Sequence, residues 1–464
     1  MRFWLAICAL MAVLMAAPVV AEPAPDAEGL LRLSPAEARE AGLRAMQNQR
    51  PDIALQVALA LIARDGADPF AHFLMATALS ALNRLPEAQA AGKRAFRFAQ
   101  SPEQKFQAAR ATALAAYDQN RLITAQWWLR RTIRAAPDAA RRERSVAEFQ
   151  SVRDKNPLVL GLRFAAAPSD NVNSGSSSAF NTIDGVPIVG TLSPDAQKLS
   201  GLVFEAGLDL QYRLRKAATG NTSLGLVASI RDVRLSRAAK TRLGAVNAPD
   251  LASQQIEISL RQSYTPKGAK YRLSFAGALG RRWKDGVEPQ DLGRVTLGYA
   301  KALGTRDYLE ISTSAEQRSR TGPLPRGDRV YSLRGSVVHR LKNADRLTGT
   351  LYSSAYDTAR FGQSSTTLGF QIGYELARAV GPLRLTVNFG AQRSVFRGYS
   401  IAGIPVPGGR QDDRAFAEVL VLFPKIEFAG FAPQLSLRRQ MTGSNVSRFD
   451  TLETSATLGI KSTF

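Results

Sequence analysis

The feature that most restricts this chain is an alternation of apolar and polar residues that begins after Asn156-Pro157 and persists to the C-terminus. It is clearest from Leu202 to Arg215. Leu202, Phe204, Ala206, Leu208, Leu210, Tyr212 and Leu214 fall on one face; Val203, Glu205, Gly207, Asp209, Gln211, Arg213 and Arg215 fall on the other. A period of two is that of a β-strand. The pattern returns in Leu224/Leu226/Ala228/Ile230, Ile256/Ile258/Leu260, Leu309/Ile311/Thr313/Ala315, Leu368/Phe370/Ile372/Tyr374/Leu376 and Leu383/Leu385/Val387/Phe389. A soluble sandwich would bury one of these faces in a dry core, at a cost of roughly several kcal/mol for each unpaired Glu, Asp or Arg. A barrel avoids that cost, because its charged face lines a watery lumen and its apolar face meets lipid.

The spacing predicts about fourteen strands of roughly 9–14 residues, a length suited to crossing a bilayer at a tilt. The connections fall into two alternating sets. Short ones are expected around Ala217–Asn221, Pro266–Lys270, Leu303–Arg306, Lys342–Asp345, Ala377–Gly381 and Pro424–Lys425. Longer ones, rich in Gly, Pro, Ser and Asn, are expected at 168–200, 236–252, 284–290, 319–328, 359–364, 397–412 and 441–449. Short periplasmic turns and longer outer loops are the outer-membrane arrangement. An even strand count then puts both barrel ends on the periplasmic side. The last strand, ending in Leu458, Ile460 and Phe464 on one face, has the form of a barrel-assembly signal and is expected to pair with Leu158–Ala166. Ser462 departs from that form, since a bulky residue is usual there.

The N-terminus reads as a secretory signal over 1–21. Arg2 supplies the positive charge, Phe3–Val20 is almost wholly apolar, and Val19-Val20-Ala21 offers small residues before a cut. The alternative is an uncleaved anchor helix. An extended segment, 22–34, follows. The single cysteine, Cys8, lies inside the apolar run, so the mature chain is expected to have no disulfide and no thiolate metal site. Net charge is +22. Residues 22–157 carry 20 Lys+Arg against 15 Asp+Glu, and 158–464 carry 40 against 24. In a secreted chain that excess fits anionic lipid headgroups or an acidic cargo better than nucleic acid.

Between these parts lies a helical repeat. Ser34-Pro35, Asp68-Pro69, Ser101-Pro102 and Ala136-Pro137 recur at spacings of 34, 33 and 35. Ser or Asp before Pro is a helix start, and Ser34 with Glu37 and Ser101 with Gln104 complete capping boxes. Turns at Asn48–Arg50, Asn83-Arg84 and Asn120-Arg121 lead into second helices. Gly42 and Ala76, like Ala54 and Ala88, are 34 apart, and small residues there let hairpin helices pack closely. This is the pattern of tetratricopeptide repeats. It predicts a helical domain over 35–155, with about three repeats over 35–136 and a capping helix over 137–154 whose Arg141–Arg144 run is solvated. Such repeats bind extended peptides along the face of their first helices. Arg39, Leu43, Phe73, Thr77, Phe106 and Arg110 are the groove candidates. Trp127-Trp128 is expected to straddle the last helix pair.

The fold class is therefore a short α-solenoid followed by an antiparallel transmembrane barrel over 156–464. Several stretches of the barrel part resemble the C-terminal domain of the surface lipoprotein assembly modifier family. They are Ala167-Pro168-Ser169-Asp170-Asn171-Val172-Asn173, Leu192–Gln197, Gly280-Arg281-Arg282-Trp283, Gln411-Asp412-Asp413-Arg414, Gly430–Pro433 with Leu435–Leu437, and Ser444-Asn445. The order of signal, short repeat domain and about fourteen strands resembles that family over the whole chain. The resemblance implies an outer-membrane protein that moves protein cargo, lipoprotein or soluble, from periplasm to surface. Its repeats would engage cargo or a chaperone, and its barrel would give passage. Expected partners are that cargo, the barrel-assembly machinery and outer-membrane lipid.

Glu205, Asp209, Arg213, Arg215, Arg231 and Arg261 are the lumen candidates. Asp170, Asn171 and Asn173 are either a functional loop at the barrel mouth or a turn whose side chains cap backbone groups. A passive anion-preferring porin and a polysaccharide exporter are the competing functions. No Ser/His/Asp constellation stands out, and His72 and His339 are the only histidines, so no catalytic residue, metal ligand or cofactor is expected.

Overall fold

The computed structural model describes residues 33–462 except 247–249, 285–286, 321–325, 402 and 427–430. The expected signal peptide, most of segment 22–34, and Phe464 lie outside these residues. The chain divides into two compact units between Asn156 and Pro157.

Among the described residues the first unit has seven helices: α1 Pro35–Gln47, α2 Pro51–Arg64, α3 Pro69–Ala81, α4 Leu85–Phe98, α5 Pro102–Asp118, α6 Leu122–Ala135 and α7 Ala139–Lys155. Both capping boxes form, and Asp68 caps α3 through the N–H groups of Phe70 and Ala71. The hairpin turns place Gln49, Asn83 and Asn120 at φ near +57°, where asparagine is tolerated better than most residues. Ala54, Ala76 and Ala88 are buried at the helix crossings. Gly42 is so close to α3 that a Cβ would lie 2.4 Å from Leu74 Cδ2. The last helix starts later than its proline step suggests, because Asp138 rather than Ala136 is the N-cap. Ala136 has no side-chain oxygen to cap a helix, whereas Asp138 Oδ1 accepts from Arg141 N–H at 2.7 Å.

The second unit is a closed barrel of fourteen antiparallel strands with two small hairpins in its loops. In chain order the strands are β1 Leu158–Ser169, β2 Phe180–Ile183, β3 Val186–Thr191, β4 Gly201–Ala217, β5 Gly220–Leu235, β6 Ser253–Tyr264, β7 Tyr271–Lys284, β8 Val287–Ala302, β9 Asp307–Arg320, β10 Arg326–Arg340, β11 Arg346–Thr358, β12 Ser365–Glu375, β13 Arg384–Phe396, β14 Ser400–Ile401, β15 Ile404–Pro405, β16 Arg410–Leu422, β17 Phe431–Ser444 and β18 Thr451–Ser462. Hairpins β2–β3 and β14–β15 lie outside the barrel wall. A short helix, α8 Arg237–Leu243, sits in the loop after β5.

Alternation sets the two faces. Leu162, Phe164, Ile258, Leu260, Phe275, Leu297, Leu333, Leu351, Leu368, Phe389 and Leu458 are all exposed on the outside. A continuous ring of such residues is stable only against an apolar surrounding, so the barrel fits an outer membrane. Tyr264, Tyr271 and Tyr299 point outward near the short-turn end, with the Tyr271 and Tyr299 rings stacked 5.7 Å apart, as in an interfacial aromatic girdle. Among the described residues no helix is long and apolar enough to cross a membrane, a test that does not address strands.

The strand bounds depart from expectation at two connections; where a short turn was expected at Pro424–Lys425, β16 ends at Leu422 and β17 starts only at Phe431. β7 runs to Lys284 and β8 starts at Val287, so most of the loop expected at 284–290 belongs to strand. Val287-Glu288-Pro289-Gln290 extends the strand instead, its ladder reaching Lys284↔Val287.

Candidate functional site

The lumen wall is built by residues whose register partners also point inward. Ala165↔Glu205, Glu205↔Arg231 and Arg231↔Ser253 carry this face around β1, β4, β5 and β6. Asp209 lies opposite Gly161 and Val227, Arg213 opposite Ser223, and Arg261 opposite Ser223 and Ala276, all on the same face. Arg215 does not follow. A bulge between Arg213 and Arg215 shifts the register, pairs Arg215 with Thr222, and breaks the alternation that predicted it to be inward. The inserted residue is Leu214, which stays exposed.

Much of the wall's charge is internally paired. Arg294 bonds Glu257 and lies 3.1 Å from Glu316, whose other oxygen is 2.5 Å from Arg318. Glu418 accepts from Asn388 and Ser436, at 2.9 and 2.8 Å. Hydroxyl pairs Ser314–Ser332, Ser336–Thr350 and Thr367–Ser394 bridge neighbouring strands. These inward polar groups thus partner one another within and between strands, which keeps that part of the wall hydrophilic yet cross-linked.

At the long-loop end the mouth is knitted together. Asn171 is buried, accepts from Gly175 N–H at 2.8 Å, and donates to the carbonyls of Gly175 and Leu452. Asn173 donates to the carbonyls of Asp195 and Gln197 and accepts from Leu199 N–H. Asp170 accepts from Thr454 N–H at 2.7 Å. Of the two readings of this stretch, the geometry is that of side chains capping backbone groups. Ser176 and Ser447 extend the tie to the last loop, where Ser447 Oγ donates to the Phe180 carbonyl and Ser176 Oγ to the Ser447 carbonyl. Beneath it Val172, Leu199, Val203, Ala239 and Leu243 form a small apolar cluster. Arg231 joins the lumen to this mouth. Its guanidinium is 3.7 Å from Glu205 and donates to the Leu251 and Val172 carbonyls. Sequence spacing marked Arg231 only as a lumen residue, because its loop acceptors are set by tertiary packing.

In the last loop, burial and the neighbouring Asp412 raise the Asp450 carboxyl above the usual carboxylate range, against a lowering bond from Ser444 N–H. At the opposite end, Asp345 is held below that range by bonds from Tyr374 O–H and Ala377 N–H.

The first-helix groove divides into two halves. Leu43 and Phe73 are half-buried, Arg39 is 2.9 Å from Asp68, and Thr77 donates to carbonyls of its own helix. Phe106 is buried, and Arg110 is 2.7 Å from Glu148. Helix α7 covers this second half. Glu103 pairs with Arg141, Arg110 with Glu148 and Tyr117 with Lys155, each 38 residues apart, so α7 lies parallel to α5 as the first helix of a further repeat would. Arg141, expected on a solvated face, faces α5 instead. Trp128 is buried and Trp127 is 44% exposed, with the Arg131 guanidinium over its ring. Leu458 and Ile460 point outward on β18. Among the described residues no group of three or more His, Cys, Asp or Glu side chains is placed to hold a metal ion.

No protein-family model matches the chain, and no curated protein matches it. Solved structures resemble part of it. The first tetratricopeptide domain of human RPAP3 is 15% identical, with 26% of this chain and 93% of that chain covered and a TM-score of 0.24. The TPR2B domain of yeast Sti1, solved as a pHsp70 complex, is 21% identical, covering 26% and 94% at a TM-score of 0.24. The type III secretion translocator chaperone SycD of Yersinia enterocolitica is 13% identical, covering 26% and 83% at a TM-score of 0.24. Likenesses of this size carry no argument about the barrel or about what the chain binds.

Proposed function

We propose that this chain is an outer-membrane translocator of the surface lipoprotein assembly modifier type, moving protein cargo from the periplasm to the cell surface. The observation that carries the reading is the union, in one chain, of helical repeats with a closed fourteen-strand barrel whose inner wall is charged and hydrogen-bonded. A stack of repeats offers an extended surface for a peptide or partner. A hydrophilic wall in which carboxylates such as Glu205, Glu257 and Glu316 are paired to arginines lets a polypeptide pass without a strong single-sign field to trap it.

The test is the surface proteome of a deletion strain. Loss of one or a few surface or secreted proteins is expected, and their transcription should be unchanged. An unaltered surface and medium would sink the reading. A large, constantly open anion conductance in planar bilayers would favour a porin instead. Loss of a surface polymer with surface proteins intact would favour a polysaccharide exporter.

A further inference from the structure

The first-helix face of the repeats is largely engaged from within. Arg39 and Arg110 are held by Asp68 and Glu148, and Phe106 is buried. The second helices present a different surface. Between α4 and α6 lies a groove of about 520 Å³. Ile123 and Trp127 line it from α6, and Lys93 and Arg97 line it from α4. Each pair is four residues apart, the spacing that puts two side chains on one helix face. Phe96 and Trp128 form the floor, their rings meeting edge to face at 5.3 Å.

This groove is apolar where it opens, with Ile123 50% and Trp127 44% exposed. One exposed apolar residue is ordinary, but a contiguous apolar patch inside a polar rim marks an interaction site. The rim is also of one sign. Lys93 and Arg97 are exposed, and no carboxylate lines the groove. The two helices together carry a single acidic residue, Glu87, and Arg84 already pairs with it.

Arg131 lies against the same rings. Its guanidinium carbon is 3.0 Å from the Trp127 ring centre, 5.0 Å from that of Trp128 and 5.9 Å from that of Phe96. Its Nη1 is buried and has no hydrogen-bond partner among the described residues. Burial pulls the guanidinium pKa below the usual arginine value. A desolvated cation of this kind gains from an anion brought near it, because attraction between charges strengthens where water is excluded.

We infer that the groove between α4 and α6 binds an acidic segment of a partner protein. A large apolar side chain of that segment lies on Ile123 and Trp127, and Asp or Glu residues flanking it meet Lys93 and Arg97. Trp and Arg are the side chains that most often dominate such contacts. The ring floor is recessed below the charged rim, so a projecting side chain reaches it and a flat lipid surface does not. This site is distinct from the first-helix candidates, and it stands whether or not the chain transports cargo.

The test uses the full chain in nanodiscs that contain phosphatidylglycerol. The probes are three fluorescein-labelled peptides: Asp-Glu-Leu-Phe-Asp-Glu, its basic counterpart Lys-Arg-Leu-Phe-Lys-Arg, and Asp-Glu-Ser-Ser-Asp-Glu. Affinity is read by fluorescence anisotropy. Placement is read by adduct to a photo-crosslinking residue at Ile123, with Leu59, an exposed apolar position of α2, as control. The acidic apolar peptide should bind about tenfold more tightly than either of the others, and should give adduct at Ile123 with background at Leu59. Lys93→Glu with Arg97→Glu should weaken it about tenfold, and Trp127→Ala should also weaken it. The helical circular-dichroism signal reports folding; if one variant loses it, the other decides. Equal affinity for the acidic and basic peptides, equal affinity with Ser in place of Leu-Phe, or no response to either variant in a folded chain would overturn the inference. So would adduct to lipid in place of peptide, or to residues 22–32 of the same chain.

Discussion

The Arg110 guanidinium lies 2.7 Å from the Glu148 carboxylate, and both side chains are largely shielded from water. This pair, with Glu103–Arg141 and Tyr117–Lys155, ties α7 along α5. A partly buried charge left without its partner is costly, so Glu148→Ala should loosen α7 by about 1–2 kcal/mol. Hydrogen exchange on the full chain in detergent should show α7 amides exchanging about tenfold faster, with α2 and α3 unchanged. Unchanged α7 protection would mean that Phe149 and Val152 alone hold it.

Gly92 packs against α5 with no room to spare. A Cβ there would lie 2.3 Å from Thr112 Oγ1 and 3.3 Å from its Cα. Gly92→Ala gains helix propensity of about 1 kcal/mol but forces the crossing apart, at about 1–3 kcal/mol. The variant should be less stable than the parent, and Thr112→Ala in the same chain should recover part of the loss. The two changes are therefore expected to be non-additive in a double-mutant cycle read by thermal unfolding of the helical signal. Additivity would place the strain elsewhere.

Asn171 satisfies three backbone groups from a buried position. Asn171→Leu removes all three bonds and leaves Gly175 N–H without an acceptor from it, a cost of about 1–3 kcal/mol. The expected result is a mouth loop, 170–200, cleaved faster by added protease, and a lower temperature for the shift in gel mobility. Asn173→Leu should act in the same direction.

The two ends of the barrel should respond to pH with opposite signs. Asp450 is raised in the folded loop, chiefly by burial, so its contribution is fully present below the unfolded Asp value and is lost as pH rises through the higher folded value. Asp345 is lowered by its bonds from Tyr374 and Ala377, so its contribution is present above the unfolded value and is lost as pH falls through the lower folded one. Amide exchange should therefore quicken in the 445–450 loop on the alkaline side of the Asp range, and in the 341–345 turn on the acid side. Asp450→Asn and Asp345→Asn should each flatten only their own profile.

Glu316 stands between Arg294 and Arg318. Glu316→Gln leaves those cations facing the lumen with less compensation. Any residual ion conductance should shift toward anions, read as a changed reversal potential in a salt gradient, while membrane assembly is retained. An unchanged reversal potential would show that this cluster does not face the conducting path.

Local periodicity made the helical repeats and the strand faces legible. Ser34, Asp68 and Ser101 cap their helices as their spacing implies, and Leu202–Leu210 lies on the outer face that its alternation marks. These features depend on neighbours a few residues away, and a chain carries that information in its order. Arg215 escaped the pattern because one inserted residue, Leu214, shifts a ladder, and nothing in the alternation announces it. Phe106 and Arg110 read as open groove residues because the helix that covers them starts more than thirty residues later.

The closing seam shows the same division. The order of residues determined that Leu458 and Ile460 face outward and that Arg163 and Lys461 face inward. Only the tertiary structure decided that Ala165, Ala166 and Ser169 pair across to Gly459, Leu458 and Ser455 of β18, and that Asp170 and Asn171 lock the mouth above them. Those partners are more than 280 residues apart in the chain. Their meeting is fixed by barrel closure, which sets the first strand beside the last.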